Sequence, residues 1–195
     1  MKKYHFFAMI SRMKFINRWS LMRNSHSENL GEHSMEVAAI AHALVVLHNR
    51  RFDGSLDAER AAILGLFHDM PESLTGDMPT PVKYHSEKLR KAYQSVEDNA
   101  CQTLLNMLPE DIRGDYEPFF FPVEEDRGLW TYVKAADKIC ALIKCIDEKR
   151  AGNAEFDSAA VSVRKAITEM MLPEAECFLK EFLPSYSLTL DEIKE

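Results

Sequence analysis

The chain has 195 residues, enough for one well-cored domain and short for two. Its 46% hydrophobic and 28% charged residues exclude wholesale disorder, and a net charge of −7 excludes a general nucleic-acid binder, which would carry a broad basic surface. That charge is uneven. Residues 1–27 hold Lys2, Lys3, Arg12, Lys14, Arg18 and Arg23 and no Asp or Glu. A local basic region on an acidic protein suits a small anionic ligand, and any one of these residues equally suits a solvated helix face.

Cys101, Cys140, Cys145 and Cys177 form no C-x-x-C pair and sit among apolar residues, the setting of buried reduced thiols. The apolar patch at residues 4–10 is too short for a signal peptide, and the run at 37–47 contains His42 and is far below spanning length. A cytoplasmic protein with no membrane association is expected.

Helical apolar spacing dominates from the start of the chain. The stripe Phe6, Ile10, Met13, Asn17 predicts a helix over about 4–17. A second runs from about 30 to 50, with Val37, Ile40, Leu44 and Leu47 on one face. Asp57 can cap a third, carrying Ala61, Leu64 and Phe67, which Pro71 helps to end. Gly and Pro content makes 75–85 a loop, and a long amphipathic helix follows over about 86–108. Residues 109–128 read as irregular, because Pro and Gly flank Phe119-Phe120-Phe121. That aromatic triplet suits a subunit contact or a core staple equally. A helix over about 129–150 stops near Gly152, one or two more fill 155–183, and 187–195 forms a short capped tail. The pattern is that of an all-α, single-domain helix bundle.

Three of these helices aim metal-competent side chains inward. His33 lies four residues before Val37, His68 lies four after Leu64 and seven after Ala61, with Asp69 next to it, and Asp137 lies four after Val133. Singly each has a plainer reading: a core histidine, a helix cap, an ion-pair partner of Lys134 or Lys138. As a set they pose a problem that one cation solves, since buried carboxylates are costly without a counter-charge. His5, His26, His42, His48 and His85 receive no role.

The order His33, His68-Asp69, Asp137 resembles the HD superfamily of metal-dependent phosphohydrolases. The likeness extends through Ile16-Asn17-Arg18-Trp19, Glu32-His33-Ser34, Glu72, Leu74-Thr75-Gly76-Asp77, Pro79-Thr80-Pro81-Val82-Lys83, Lys134-Ala135-Ala136-Asp137, Ala151-Gly152-Asn153 and the ending Pro184-Ser185-Tyr186-Ser187-Leu188. Over essentially its whole length the chain resembles the bacterial 5'-deoxynucleotidases. Met70-Pro71 before Glu72 departs from the small residues of that pattern.

The resemblance implies hydrolysis of deoxyribonucleoside 5'-monophosphates, with ribonucleotides rejected, by a homodimer. Phosphate monoesters are very inert, and their enzymes supply rate enhancements of up to about 10²¹. No Cys-x5-Arg loop, Asp-x-Asp nucleophile or Walker loop is present, which leaves water activated by a metal. Two imidazoles and two carboxylates from His33, His68, Asp69 and Asp137 suit one divalent ion per subunit, such as cobalt, manganese, iron or zinc. His33, Asp69 and Asp137 then adjoin the substrate too. Glu72 is the expected general acid or base, and Arg18 the phosphate clamp. On spacing alone Trp19 would be core; the resemblance makes it the wall that disfavours a 2'-hydroxyl. Asp77, Met78, Pro79 and Thr80 form the loop that meets the sugar, with Asp77 and Thr80 as hydrogen-bonding groups for its 3'-hydroxyl. The rival readings are another HD enzyme acting on a nucleoside triphosphate or a phosphodiester, a non-catalytic nucleotide- or metal-binding regulator, and a helical interaction protein.

Overall fold

The structure is a computed structural model that describes residues 3–83 and 85–194; the side chain of Thr80, expected to contact substrate, lies outside the described residues. Among the described residues ten α-helices follow in chain order: α1 (Phe6–Ile10), α2 (Leu30–Arg51), α3 (Ala58–Phe67), α4 (Glu72–Thr75), α5 (Thr80–Lys83), α6 (Glu87–Leu105), α7 (Glu110–Phe120), α8 (Arg127–Arg150), α9 (Asp157–Glu169) and α10 (Pro173–Glu181). Short 3₁₀ turns link several of them. No β-strand occurs among the described residues, only an isolated bridge between Asn17 and Asn29. The all-α expectation holds.

Helices α2, α3 and α8 make the centre. Val37, Ala41 and Leu44 of α2, Ala61 and Leu64 of α3, and Val133, Ala136 and Ile139 of α8 are all buried in one cluster. Helix α2 starts in a capping box: the Asn29 side chain accepts from the N–H groups of Gly31 and Glu32, and Glu32 accepts from the Asn29 N–H. Asp57 caps α3 as expected, accepting from the Arg60 N–H at 2.8 Å. The two helices pack closely because of Gly65. A Cβ there would stand 3.0 Å from the Ala38 Cα, so any side chain would push α3 off α2. Among the described residues α2 is the one helix long and apolar enough to cross a membrane, and half of that apolar window is buried inside the protein.

Two elements depart from the sequence reading. The predicted helix over 4–17 stops at Ile10; a 3₁₀ turn at Met13–Phe15 follows, and Ile16 is extended. Its carbonyl accepts from the Leu30 N–H at 2.9 Å, and the Arg18 N–H donates to the Glu28 carbonyl at 3.0 Å. These bonds tie residues 16–18 to the start of α2, a long-range pairing that wins over helical spacing. The segment 109–128, read as irregular, contains α7, despite Gly114 and the internal Pro118. Packing overrides local propensity there. Phe119 stacks on Phe67 with ring centres 5.1 Å apart, and Tyr116 and Phe120 pack on Phe6 at 5.1 and 6.1 Å. Phe119, Phe120 and Phe121 thus pack, half-buried, on the cluster around Phe6 and Phe67, as a core staple would. The predicted loop over 75–85 also holds the short helix α5, and Gly76 takes the positive φ (75°) that turns the chain out of α4.

Candidate metal centre

Helix α2 supplies His33, the C-cap of α3 supplies His68 with Asp69 beside it, and the middle of α8 supplies Asp137. One donor atom from each of the four lies within 4.8 Å of the others. His33 Nε2 is 3.2 Å from Asp137 Oδ1 and 3.6 Å from Asp69 Oδ2, and His68 Nε2 is 3.1 Å from Asp69 Oδ2. The His33 side chain is fully buried. His68 pairs its Nδ1 with the Gly65 carbonyl at 2.7 Å, which leaves Nε2 as the lone-pair nitrogen facing the carboxylates. Neither Nε2 has a well-formed hydrogen-bond partner. The four residues singled out in the sequence thus converge, and two imidazole nitrogens with two carboxylate oxygens around one point form a donor set that fits a divalent cation.

Positive charge gathers on the acids. Arg18 Nη1 is 3.3 Å from Asp69 Oδ2, and Nη2 is 3.9 Å from Asp137 Oδ1. Burial opposes charging of His33, yet contacts with Asp137 and Glu28 outweigh it and push the ring's pKa up to about 9. Burial would likewise raise Asp69, but His68, His33 and Arg18 hold its carboxyl well below the usual range. Asp137 faces His33 and Arg18, so its neighbours Lys134 and Lys138 are not needed to explain it.

Glu72 behaves differently. It is 8% exposed, its Oε2 has no partner, and it lines a small cavity of about 210 Å³ with His68, Asp69, Pro71 and Lys83. Burial, with Asp69 and Asp77 nearby, pushes its pKa up to about 9. Met70 is wholly buried and the Glu72 N–H donates to the Asp69 carbonyl at 3.0 Å, so the Met70-Pro71 departure leaves Glu72 beside the cluster.

A larger cavity of about 550 Å³ is lined by Arg18 together with Trp19, Asp77, Pro79, Pro81 and Val163 among others. Arg18, Trp19, Asp77 and Pro79 thus meet as expected, whereas Met78 is not among the lining residues. Trp19 takes a left-handed backbone (φ 58°), unusual for so large a residue and a form of strain found at functional sites. Its ring sits edge-on to Phe156 at 5.3 Å, and its indole N–H donates to Glu28 Oε2 at 2.7 Å.

Sequence reasoning missed what holds the Arg18–Trp19 loop. Buried Glu148, near the end of α8, accepts from the N–H groups of Ser25 (2.8 Å) and His26 (3.3 Å), from Lys144 and from Asn153. Asn153 also donates to the Arg23 carbonyl at 2.7 Å, and Lys144 to the His26 carbonyl. Glu28 was missed as well. It had a signal: it is the first acidic residue of the chain, directly after the acid-free stretch.

An all-helical bundle that converges His, His-Asp and Asp on one point is an HD-type phosphohydrolase domain. Solved structures share the fold: an HD-domain phosphohydrolase from Listeria innocua (TM-score 0.79, 22% identity, 97% of this chain and 92% of that one) and the cyanophage S-2L HD phosphohydrolase DatZ, bound to dA and one catalytic Zn²⁺ ion (TM-score 0.66, 14% identity, 91% and 96%). The particular family follows from sequence. The profile described as 5'-deoxynucleotidase YfbR-like matches residues 5–186. The 5'-deoxynucleotidase of Vibrio atlanticus (strain LGP32) is 47% identical over 193 residues, covering 99% of this chain and all of that one, and that of Yersinia pestis (strain Pestoides F) is 46% identical over 192, covering 97% and 96%. The chain belongs to the YfbR-like 5'-deoxynucleotidase family. It is an enzyme, a phosphohydrolase, as its motifs implied.

Proposed function

We propose that this protein hydrolyses deoxyribonucleoside 5'-monophosphates to deoxynucleoside and phosphate, with one divalent metal ion held by His33, His68, Asp69 and Asp137. The observation that carries the reading is the convergence of those four donors within 4.8 Å, with neither imidazole Nε2 in a well-formed hydrogen bond. Once bound, such an ion supplies hydroxide at neutral pH, lowering the pKa of water from about 15.7 towards 7, and polarises a phosphoryl oxygen. Cobalt, manganese, iron and zinc all suit the donors; the Zn²⁺ of the cyanophage enzyme favours zinc.

The remaining steps belong to the chain. Arg18 offers a planar fork for two phosphate oxygens. Its contacts with Asp69 and Asp137 keep it beside the cluster. As the oxygen of water bonds to phosphorus and the P–O5' bond breaks, the water loses one proton to solvent and the departing oxygen needs another. Glu72 carries one at neutral pH, because burial and its acidic neighbours keep it protonated. The deoxyribose would lie in the larger cavity, with Asp77 and Thr80 serving its 3'-hydroxyl and Met78 and Pro79 shaping the loop. Trp19 would leave a 2'-hydroxyl without space or partner, which is the basis for rejecting ribonucleotides. Family resemblance supports a cytoplasmic homodimer that acts on free nucleotides.

The test is a panel of deoxy- and ribonucleoside mono- and triphosphates and cyclic phosphodiesters. Phosphate release is measured with chelator and with each divalent metal restored. Release from deoxyribonucleoside monophosphates, abolished by chelator, is the expected result. Preference for a triphosphate or diester would overturn the substrate assignment.

A further inference from the structure

One carboxylate outside the proposed ligand set touches three of its working parts. Glu28 is 12% exposed and sits at the mouth of the loop that carries Arg18 and Trp19. Its Oε2 accepts the Trp19 indole N–H at 2.7 Å and lies 3.6 Å from Arg18 Nε. Its Oε1 faces His33 Nδ1 at 3.4 Å. The backbone fixes its place: the Glu28 carbonyl accepts from Arg18 N–H, and the next residue, Asn29, caps the helix that bears His33.

A ring nitrogen can offer a lone pair to a cation only if the proton sits on the other nitrogen. His68 has a backbone carbonyl to hold that proton, the Gly65 oxygen at 2.7 Å from Nδ1. His33 has no such carbonyl; the group facing its Nδ1 is the Glu28 carboxylate at 3.4 Å, a looser charge contact than a formed hydrogen bond. The other carboxylate oxygen faces the Arg18 guanidinium and the Trp19 indole N–H, so cationic and N–H groups surround Glu28. The same anion anchors the indole of a tryptophan held in a strained backbone conformation.

We propose that Glu28 is a positioning residue that joins two functions of the site: it sets His33 Nε2 towards the cation and it locks the Trp19 ring against Phe156 as the sugar-discriminating wall. This rests on the functional reading above. Partners of metal-bound histidines typically change metal affinity by about 10–100-fold when removed, so Glu28 should do the same here. Removing it should also free the indole, a second loss that a role confined to His33 would not produce.

The experiment compares wild type with Glu28→Gln and Glu28→Asp, with thermal melting as a check on folding. Cobalt or zinc affinity is measured by equilibrium dialysis of the chelator-stripped protein. The accessibility of Trp19 to acrylamide is read from its fluorescence in a Trp130→Phe background, with neither metal nor substrate present. The deoxy-to-ribo ratio of kcat/KM is the third reading. For Glu28→Gln we expect metal affinity to fall about 10–100-fold, quenching of Trp19 to rise and the ratio to fall. Trp19→Phe should lower the ratio and leave affinity within about threefold, because it removes only one of the contacts. Should Glu28→Gln fail to fold, Glu28→Asp, which withdraws the carboxylate by one methylene, must show the same losses in smaller measure. Unchanged metal affinity, or unchanged Trp19 quenching, in the folded variant overturns the proposal. A wild type that hydrolyses no deoxyribonucleotide would sink the functional reading instead, and the dialysis and quenching results would still decide the role of Glu28.

Discussion

Arg18 and Asp69 stand 51 positions apart in sequence, yet the guanidinium Nη1 lies 3.3 Å from the carboxylate Oδ2. This contact joins the basic N-terminal segment to the His-Asp pair and sets the proposed phosphate clamp at the edge of the His-Asp cluster. Arg18→Ala is therefore expected to lower kcat/KM by about 10²–10³, the usual effect of losing one charge-stabilising donor. Metal content, measured by elemental analysis, should stay at the wild-type level. Loss of metal would assign Arg18 to holding the cluster together.

Glu72 gives a prediction in two parts. Glu72→Gln should cost about 10²–10⁴ in kcat while metal is retained. In chelator-treated protein, its stability contribution has a definite sign. The folded pKa of about 9 lies above the ordinary glutamate value of 4.5, so the folded state holds more protons than the unfolded chain between these values. Stability from this group is complete below about pH 4.5 and is lost as pH rises towards 9. Glu72→Gln should flatten that decline in urea titrations run across the window. An unaltered slope would place the proton elsewhere.

Metal removal should destabilise the fold. A cation that binds only the folded state adds about 4 kcal/mol at a thousandfold excess over its Kd, and it relieves the juxtaposition of Asp69 and Asp137. Calorimetry should show a lower Tm after chelation in wild type. In His33→Gln and Asp137→Asn the chelator should have little effect on Tm. A Tm in wild type that ignores chelator would contradict a tight four-ligand site.

Glu148 should matter for stability and for the site together. It is 1% exposed and gathers Ser25, His26, Lys144 and Asn153 around one carboxylate. Glu148→Ala leaves Lys144 buried without its counter-charge and should cost about 3–5 kcal/mol in denaturant titration. Although burial alone would raise it, Lys144, Asn153 and the two backbone N–H groups hold the Glu148 carboxyl well below the ordinary range. Its contribution is thus fully present above that ordinary range and is lost as pH falls through the depressed value. Loosening of the 18–26 loop should also raise KM for the deoxynucleotide.

The wall proposed for Trp19 supports a last prediction. Trp19→Ala should narrow the deoxy-to-ribo ratio of kcat/KM by admitting the 2'-hydroxyl. An unchanged ratio would make the indole a packing group on Phe156 and nothing more.

Several of these features were legible in the chain before any fold was known. Helical spacing placed His33, His68 and Asp137 on the inner faces of their helices, because the 3.6-residue period ties a side chain's direction to its apolar neighbours Val37, Leu64 and Val133. Asp57 announced the start of α3, and the residue types at 33, 68, 69 and 137 announced a cluster of metal-competent donors. What local pattern could not reveal was anything dependent on contacts across the chain. Helix α7 forms around Pro118 because Phe67 and Phe6 wait to receive its aromatic face. The predicted helix over 4–17 breaks because Ile16 pairs with Leu30. Glu28 and Glu148 drew no attention in the sequence, since the charge of a carboxylate is printed there while the donors gathered around it are not. The sequence by itself determined which chemistry was available; the tertiary structure decided which groups stand within bonding reach, because only folding sets the distances through which charges and hydrogen bonds act.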